Sequence, residues 1–216
     1  MLIGISGKAQ SGKNTVAEML SYLYYVDELE KYNKKHNLDK KPPSFEKWST
    51  FEYPYQGLHQ YSFGENLKKC LSLCCDIPRA NFEDIDFKNS KVPWLDMTYR
   101  ELLQKFGTAI RNEVSDTFWV DSLLSNYTGN TDWVITDVRF KTEAEAIKER
   151  GGFLLRIERE GAGAGNHISE IELDDYQRFN MVLENNFDSL EKLFEAVKSV
   201  KEEIDWFYSD DNTYRQ

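Results

Sequence analysis

Gly7-Lys8-Ala9-Gln10-Ser11-Gly12-Lys13-Asn14-Thr15 is the stretch whose reading decides the fold. Leu2-Ile3-Gly4-Ile5 leads into it and reads as a short buried strand. Val16, Ala17, Met19, Leu20 and Leu23 follow, apolar positions three and four apart that read as a helix. A strand, a glycine-bearing turn, Gly-Lys and a helix start are the setting in which a phosphate-binding loop is expected. The glycines let backbone N–H groups turn inward around an anion, and the helix N-terminus adds the positive end of its dipole. Lys13 then reaches the outer phosphates as a mobile point charge. The expected phosphate contacts are Gly7, Ala9, Ser11, Gly12, Lys13, Asn14 and Thr15. The position after the lysine, commonly Ser or Thr in such loops, is Asn14 here. The plainer alternative is a glycine-containing surface turn before an ordinary helix.

Composition bounds the function. The chain of 216 residues is long enough for one domain, or one core with an inserted segment, and 40% hydrophobic and 14% aromatic residues fit a globular protein. The formal net charge of −10 argues against a protein that coats nucleic acid, which needs a clustered basic surface. An acidic shell around a local basic pocket suits an enzyme for small phosphorylated ligands. No apolar run approaches the roughly 20 residues of a membrane span. The sequence opens directly in its first strand, so no signal peptide and a cytoplasmic location are expected. Cys70, Cys74 and Cys75 are bunched in one segment, with His59 the nearest histidine. That spacing makes neither a disulfide framework nor a zinc site, and predicts buried, reduced thiols.

Along the chain, a first helix is expected from Lys13 to Tyr32, then a polar, aromatic insertion within 26–57, centred on 33–56. Strands are expected at 58–63, 133–137, 153–157 and 181–183. A helix after Gly64 should bury Leu67, Leu71 and Leu73. Residues 81–95 read as irregular. Thr98 and Glu101 form a capping box for a helix at 97–112, and another helix is expected at 116–127. Gly129 and Asn130 read as a turn, and 142–150 as a short helix. A glycine-punctuated loop over 160–175 reads as a mobile lid. Leu190, Leu193, Phe194, Val197 and Val200 should line a C-terminal helix, with a frayed tail from Ser209. Alternating strands and helices predict an α/β fold with a parallel sheet, whose ligands sit at the carboxyl ends of the strands.

Several further runs are similar to the bacteriophage deoxynucleoside monophosphate kinase family. They are Asp137-Val138-Arg139-Phe140, Glu143-Ala144-Glu145-Ala146-Ile147, Gly151-Gly152, and Arg100-Glu101-Leu102-Leu103-Gln104 with Gly107-Thr108 and Arg111. Phe118-Trp119-Val120, Ser62-Phe63, Leu67-Lys68 and His167-Ile168-Ser169-Glu170 fit the same pattern. Gly-Lys-x-Thr is likewise the spelling associated with nucleoside-monophosphate kinases. The resemblance spans nearly the whole chain except 33–56 and departs from the family at Asn14, where an acid is expected. It implies a three-layer P-loop NTPase fold, with a five-stranded, mostly parallel sheet between helices and a lid loop. One kinase domain over 1–216 would then use 62–130 as its acceptor-nucleotide region. It also implies transfer of the terminal phosphoryl of ATP to a deoxynucleoside monophosphate with Mg2+. The setting would be a phage-infected host cytoplasm; the partners would be small nucleotides, not nucleic acid or membrane, with a homodimer allowed.

A phosphate acceptor has a second pKa near about 6 and needs no general base at neutral pH. It needs cations to offset anion–anion repulsion. Lys13, Arg139, Arg156 and Arg159 are the expected catalytic cations. Phe63, Lys68, Arg100, Gln104, Arg111, Trp119, Asp137, Arg139 and Glu143 are the expected acceptor contacts, with Phe63 and Trp119 stacking on the base. Thr15 and Asp137 are the expected metal contacts. The plainer alternatives are arginines paired with Glu101 and Glu113, core aromatics, and an Asp137 that caps the next segment. Competing functions are another small-acceptor kinase, of the phosphomevalonate or dephospho-coenzyme A type, and a degenerate P-loop protein that only binds nucleotide. A GTPase is disfavoured, because no Asn-Lys-x-Asp motif is present.

Overall fold

The computed structural model describes residues 1–50, 57–163 and 168–209, which divide into two compact units, 1–61 with 129–216 and 62–128. The first unit is built on five strands: β1 (Leu2–Gly7), β2 (His59–Tyr61), β3 (Trp133–Val138), β4 (Phe153–Glu158) and β5 (Met181–Glu184). Their spatial order is β2-β3-β1-β4-β5, and every neighbouring pair is parallel. The expected "mostly parallel" sheet is therefore parallel throughout.

β1 lies at the centre with all six residues buried, as its unbroken apolar run requires when both sheet faces are covered. Helix α1 (Lys13–His36) and helix α9 (Leu190–Tyr208) supply one layer. Val16, Ala17, Met19 and Leu20 of α1 meet Leu193, Val197, Val200 and Ile204 of α9 in one core with Ile3, Ile5, Phe153 and Leu155. Helix α7 (Lys141–Glu149) buries Ala144, Ala146 and Ile147. The short helix α2 (Phe45–Trp48) lies in the expected insertion, where Phe45 and Trp48 each pack edge-on to Tyr22 at 5.6 Å between ring centroids. The insertion's other aromatics, Phe51, Tyr53 and Tyr55, lie outside the described residues, as do Gly165, His167 and the tail from 210.

The second unit holds α3 (Gly64–Cys75), a 3-10 turn (Arg79–Phe82), α4 (Ile85–Asn89), α5 (Tyr99–Glu113) and α6 (Phe118–Leu124). Its own core gathers Leu71, Phe82, Val92 and Tyr99. The Thr98–Glu101 capping box forms as expected: Thr98 N–H donates to Glu101 Oε2 at 2.7 Å, and Glu101 N–H donates to Thr98 Oγ1 at 3.2 Å.

Several expectations need correction. Leu73 is 84% exposed, because it stands two residues, or about 200°, round the helix from buried Leu71. Cys70 and Cys74 are exposed and Cys75 half-buried, so the thiols are free but not core. Leu190, in the first turn of α9, is also exposed. The segment 81–95 is not irregular throughout, since Asp84 caps α4 by accepting from Phe87 N–H at 2.6 Å. Helix α1 runs four residues beyond Tyr32, whereas α6 and β2 are shorter than expected. The loop at 160–175 contains a one-turn helix, α8 (Ile168–Ile171).

The contrast on α3 is testable. Leu71→Ala should lower stability by about 2–5 kcal/mol, whereas Leu73→Ser should change it by less than about 0.5 kcal/mol, in denaturant melts followed by helical signal.

Candidate active site

The turn from β1 into α1 has the geometry of an anion cradle. Gly12 caps α1 at φ 96°, a left-handed conformation that costs glycine nothing. At Gly7 the constraint is space, since a Cβ would lie 2.5 Å from the Ile157 carbonyl oxygen and 2.6 Å from Ser11 Oγ. Ser11 N–H donates to Lys8 O at 3.2 Å and closes the turn. Lys13 lies back across the loop, its Nζ donating to the carbonyls of Gly7 (2.8 Å) and Lys8 (2.7 Å). No acidic residue occupies the first turn of α1, so the positive end of the helix dipole is left for an outside anion. Ser11 Oγ is buried with no hydrogen-bond partner among the described residues. A buried hydroxyl of this kind is uncommon. Asn14 is exposed and Thr15 half-buried at the start of α1.

Beside this loop opens a cavity of about 510 Å³, bordered by Lys8, Arg156, Arg159, Asp174, Glu184 and Asn186. Arg156, one of the expected catalytic cations, lies inside β4 and is 7% exposed. Its guanidinium donates to Ser6 Oγ at 3.1 Å and to Asp174 Oδ1 at 2.9 Å, and Lys8 Nζ meets Asp174 Oδ2 at 2.9 Å. A single carboxylate thus holds two of the cations beside the loop. Arg159 follows β4 directly, and Gly163 N–H donates to Ala9 O at 3.0 Å. On the other side, Lys141 N–H donates to Glu172 Oε1 at 2.8 Å and Lys141 Nζ pairs with Asp175 at 3.1 Å. The described parts of the expected lid are therefore tied both to the phosphate-type loop and to the start of α7.

Asp137 is the penultimate residue of strand β3, half-buried, with Arg139 just past the strand's end. Glu143 is 3% exposed, and its Oε2 accepts from Arg139 N–H at 2.7 Å and Phe140 N–H at 3.1 Å. That carboxylate caps α7 and fixes the backbone of Arg139. The motif that suggested a substrate contact is, in its local structure, a helix start.

In the second unit, Arg100 Nε donates to Asn89 Oδ1 at 2.9 Å, and Arg111 NH1 donates to the Asp116 carbonyl at 3.1 Å. For Arg100 this is not the Glu101 partner considered from the sequence. Lys68 Nζ donates to Glu83 at 2.9 and 3.1 Å, and Arg79 also binds Glu83. Burial raises the Glu83 carboxyl, but Lys68 and Arg79 outweigh it and hold it below the usual range. Lys88 is pushed below the usual lysine range by burial and by the charges of Lys68 and Arg100. Sequence reasoning missed Lys88, because a single lysine in a polar stretch carries no pattern of its own. Gln104 is half-buried on α5. Phe63 and Trp119 are only 3% and 4% exposed, and Trp119 Nε1 donates to the Gly107 carbonyl at 3.1 Å. Both rings stand as core residues here, so stacking on a base requires this packing to open.

The Mg2+ implied by the resemblance can be tested against these side chains. Among the described residues, no group of three or more His, Cys, Asp or Glu is placed to hold a metal ion. Thr15 starts α1 and Asp137 lies on β3, the neighbour of β1, and both carry hard oxygen donors. That set suits Mg2+, which takes one or two protein oxygens and completes its shell with water and phosphate. Among the described residues no helix is long and apolar enough to cross a membrane.

The family model for deoxynucleotide monophosphate kinase matches residues 59–197, well over half of the chain. A protein of Acanthamoeba polyphaga mimivirus named "Putative deoxynucleotide monophosphate kinase" is 28% identical over 221 residues, covering 92% of this chain and 95% of its own. The matched span takes in β3 with Asp137 and Arg139, the cationic helices of the second unit, and the Asp174 and Asn185 region that closes on the β1–α1 turn. The chain belongs to the deoxynucleotide monophosphate kinase family.

Proposed function

We propose that this protein transfers the γ-phosphoryl group of ATP to a deoxynucleoside monophosphate, yielding ADP and a deoxynucleoside diphosphate. The observation that carries the reading is the β1–α1 turn, an acid-free helix start with Lys13 drawn across it. The donor phosphates bind there, against the loop from Gly7 to Thr15, and the neighbouring cavity takes the rest of the donor.

The acceptor oxygen is already anionic at neutral pH, so no general base is assigned. The residues lower the barrier by orientation and by charge. Lys13 leaves the carbonyls of Gly7 and Lys8 and follows the transferring group. Arg159 and Arg139 offset the charge of three converging phosphates. Arg156 does so once Asp174 gives way, or else holds the strand end in place through Ser6. Thr15 and Asp137 would hold Mg2+, directly or through water. When bound, that ion screens the donor phosphates from the incoming acceptor. Lys68, Arg100, Gln104 and Arg111 bind the acceptor, with Lys88 as a fifth contributor. The segment from Glu160 to Asp175 acts as a lid that excludes water, which competes with the acceptor for the phosphoryl group. The mimivirus relative supports a viral setting, in which the product feeds DNA synthesis in a host cytoplasm.

The direct test is a panel of all nucleoside and deoxynucleoside monophosphates with ATP and Mg2+, scored for diphosphate product. Formation from at least one deoxynucleotide is expected; ATP hydrolysis that ignores every monophosphate contradicts the reading. Lys13→Ala should lower kcat by about 10²- to 10³-fold or more in a protein that melts normally. Near-normal turnover would remove the phosphate loop from the mechanism. Arg111→Ala should raise the acceptor KM and leave the ATP KM within about twofold, since its guanidinium belongs to the second unit. If the ATP KM moves instead, the donor and acceptor assignments are reversed.

A further inference from the structure

Asn185 was not singled out by the sequence, since an asparagine after a short strand resembles any turn residue. It directly follows β5 and is 5% exposed, a degree of burial that an amide tolerates only when its donors are used. Its backbone N–H donates to the Glu158 carbonyl at 2.7 Å and so extends the β4–β5 pairing by one residue. Its side chain does something different. Nδ2 donates to the Ser11 carbonyl at 2.8 Å, across a sequence separation of 174 residues. The approach is so close that a Cβ on Gly12 would collide with that nitrogen. Next to it, Asn186 Oδ1 accepts from Glu160 N–H at 2.9 Å. The pair Asn185-Asn186 therefore fastens the end of β4 and the turn from β1 to the same point.

We infer that Asn185 is a positioning residue for the donor phosphates: by holding the Ser11 carbonyl, it fixes the direction of the Gly12 N–H. The argument is peptide geometry, and it rests on the reading of the β1–α1 turn as the phosphate site. The Ser11 C=O and the Gly12 N–H belong to one planar trans peptide and point in opposite directions. Gly12, with φ at 96°, has the backbone freedom to turn that plane over. The hydrogen bond that closes the turn, Ser11 N–H to Lys8 O, belongs to the preceding peptide and does not hold this one. Asn185 supplies a restraint from outside the turn and keeps the Gly12 N–H directed away from itself. An N–H aimed before the anion arrives has no reorganisation to undergo on binding.

The residue type follows from the partner. A carbonyl oxygen needs a donor, which the amide provides. Aspartate has the same shape, but its carboxylate faces the Ser11 oxygen with no proton to share and adds a negative charge beside the phosphates. Alanine removes the restraint without adding a charge. Glutamine is too long for a site already closed against Gly12.

The experiment compares Asn185→Asp and Asn185→Ala with the unaltered protein. Binding of inorganic tripolyphosphate is followed by calorimetry, and the KM values for ATP and for the acceptor are measured separately. Weakening of tripolyphosphate binding and a rise in ATP KM of about tenfold or more are expected, larger for Asp than for Ala, with the acceptor KM within about twofold. A residue that only braced the fold would lower the active fraction, hence the apparent kcat, and leave both KM values and the tripolyphosphate affinity unchanged. That result overturns the proposal. In the unaltered protein, the side-chain amide resonance of Asn185 should shift when tripolyphosphate is added. Its failure to shift overturns the proposal even if both variants misfold. If tripolyphosphate binds as described but no monophosphate is phosphorylated, the proposed reaction fails and the role of Asn185 stands.

Discussion

The structure depends on how a buried central strand hands its chain to a helix. β1 is fully enclosed, and the first N–H groups of α1 have no partners within the helix. Most helix starts answer this with a capping side chain or an acidic first turn. Here neither is present: Gly12 caps without a side chain, and no acid follows. What is present instead is a tight turn, with Gly7 pressed against the Ile157 carbonyl and the Ser11 carbonyl held by Asn185. The lack of a capping side chain and of an acid in the first turn suits this helix start to a phosphate. The flanking sheet supplies the rigidity that the turn lacks.

Charge is organised around this point in a way that net charge conceals. The chain is acidic, at −10, yet Lys8, Lys13 and Arg156 lie in or beside the turn, and the helices of the second unit carry cations of their own. Many of them are already answered by a carboxylate. Asp174 holds both Lys8 and Arg156, and Glu83 holds both Lys68 and Arg79. An anionic ligand must therefore exchange with these carboxylates, not simply add to bare cations. Exchange of this kind depends on ionic strength and on the exposure of the acid, and Asp174, about 39% exposed, is well placed to move.

The sequence made the β1–α1 turn, the parallel sheet and the capping box of α5 legible, because each is written in consecutive residues. Spacing alone identifies them. Contacts that join distant segments left no such trace. Asn185 reaches Ser11 and Asp174 reaches Lys8, and no local pattern announces either. Errors of a second kind came from counting apolar residues without their angle. Leu73 and Leu190 are leucines in real helices, but each stands on the outer face. Cys70 and Cys74 do share a face of α3, but that face points to water and not to the core. Glu143 illustrates a third kind. The motif around it was noticed, and the structure explains the acid first as the cap that fixes Arg139.

The central claim is that the turn from β1 into α1 receives the phosphates of the donor nucleotide. Backbone amide resonances of Gly12, Lys13 and Asn14, followed during separate titrations with ATP and with a deoxynucleoside monophosphate, test it most directly. The account predicts large shifts at these amides with ATP and much smaller ones with the monophosphate alone. Saturable ATP binding that leaves the three amides unmoved would contradict it.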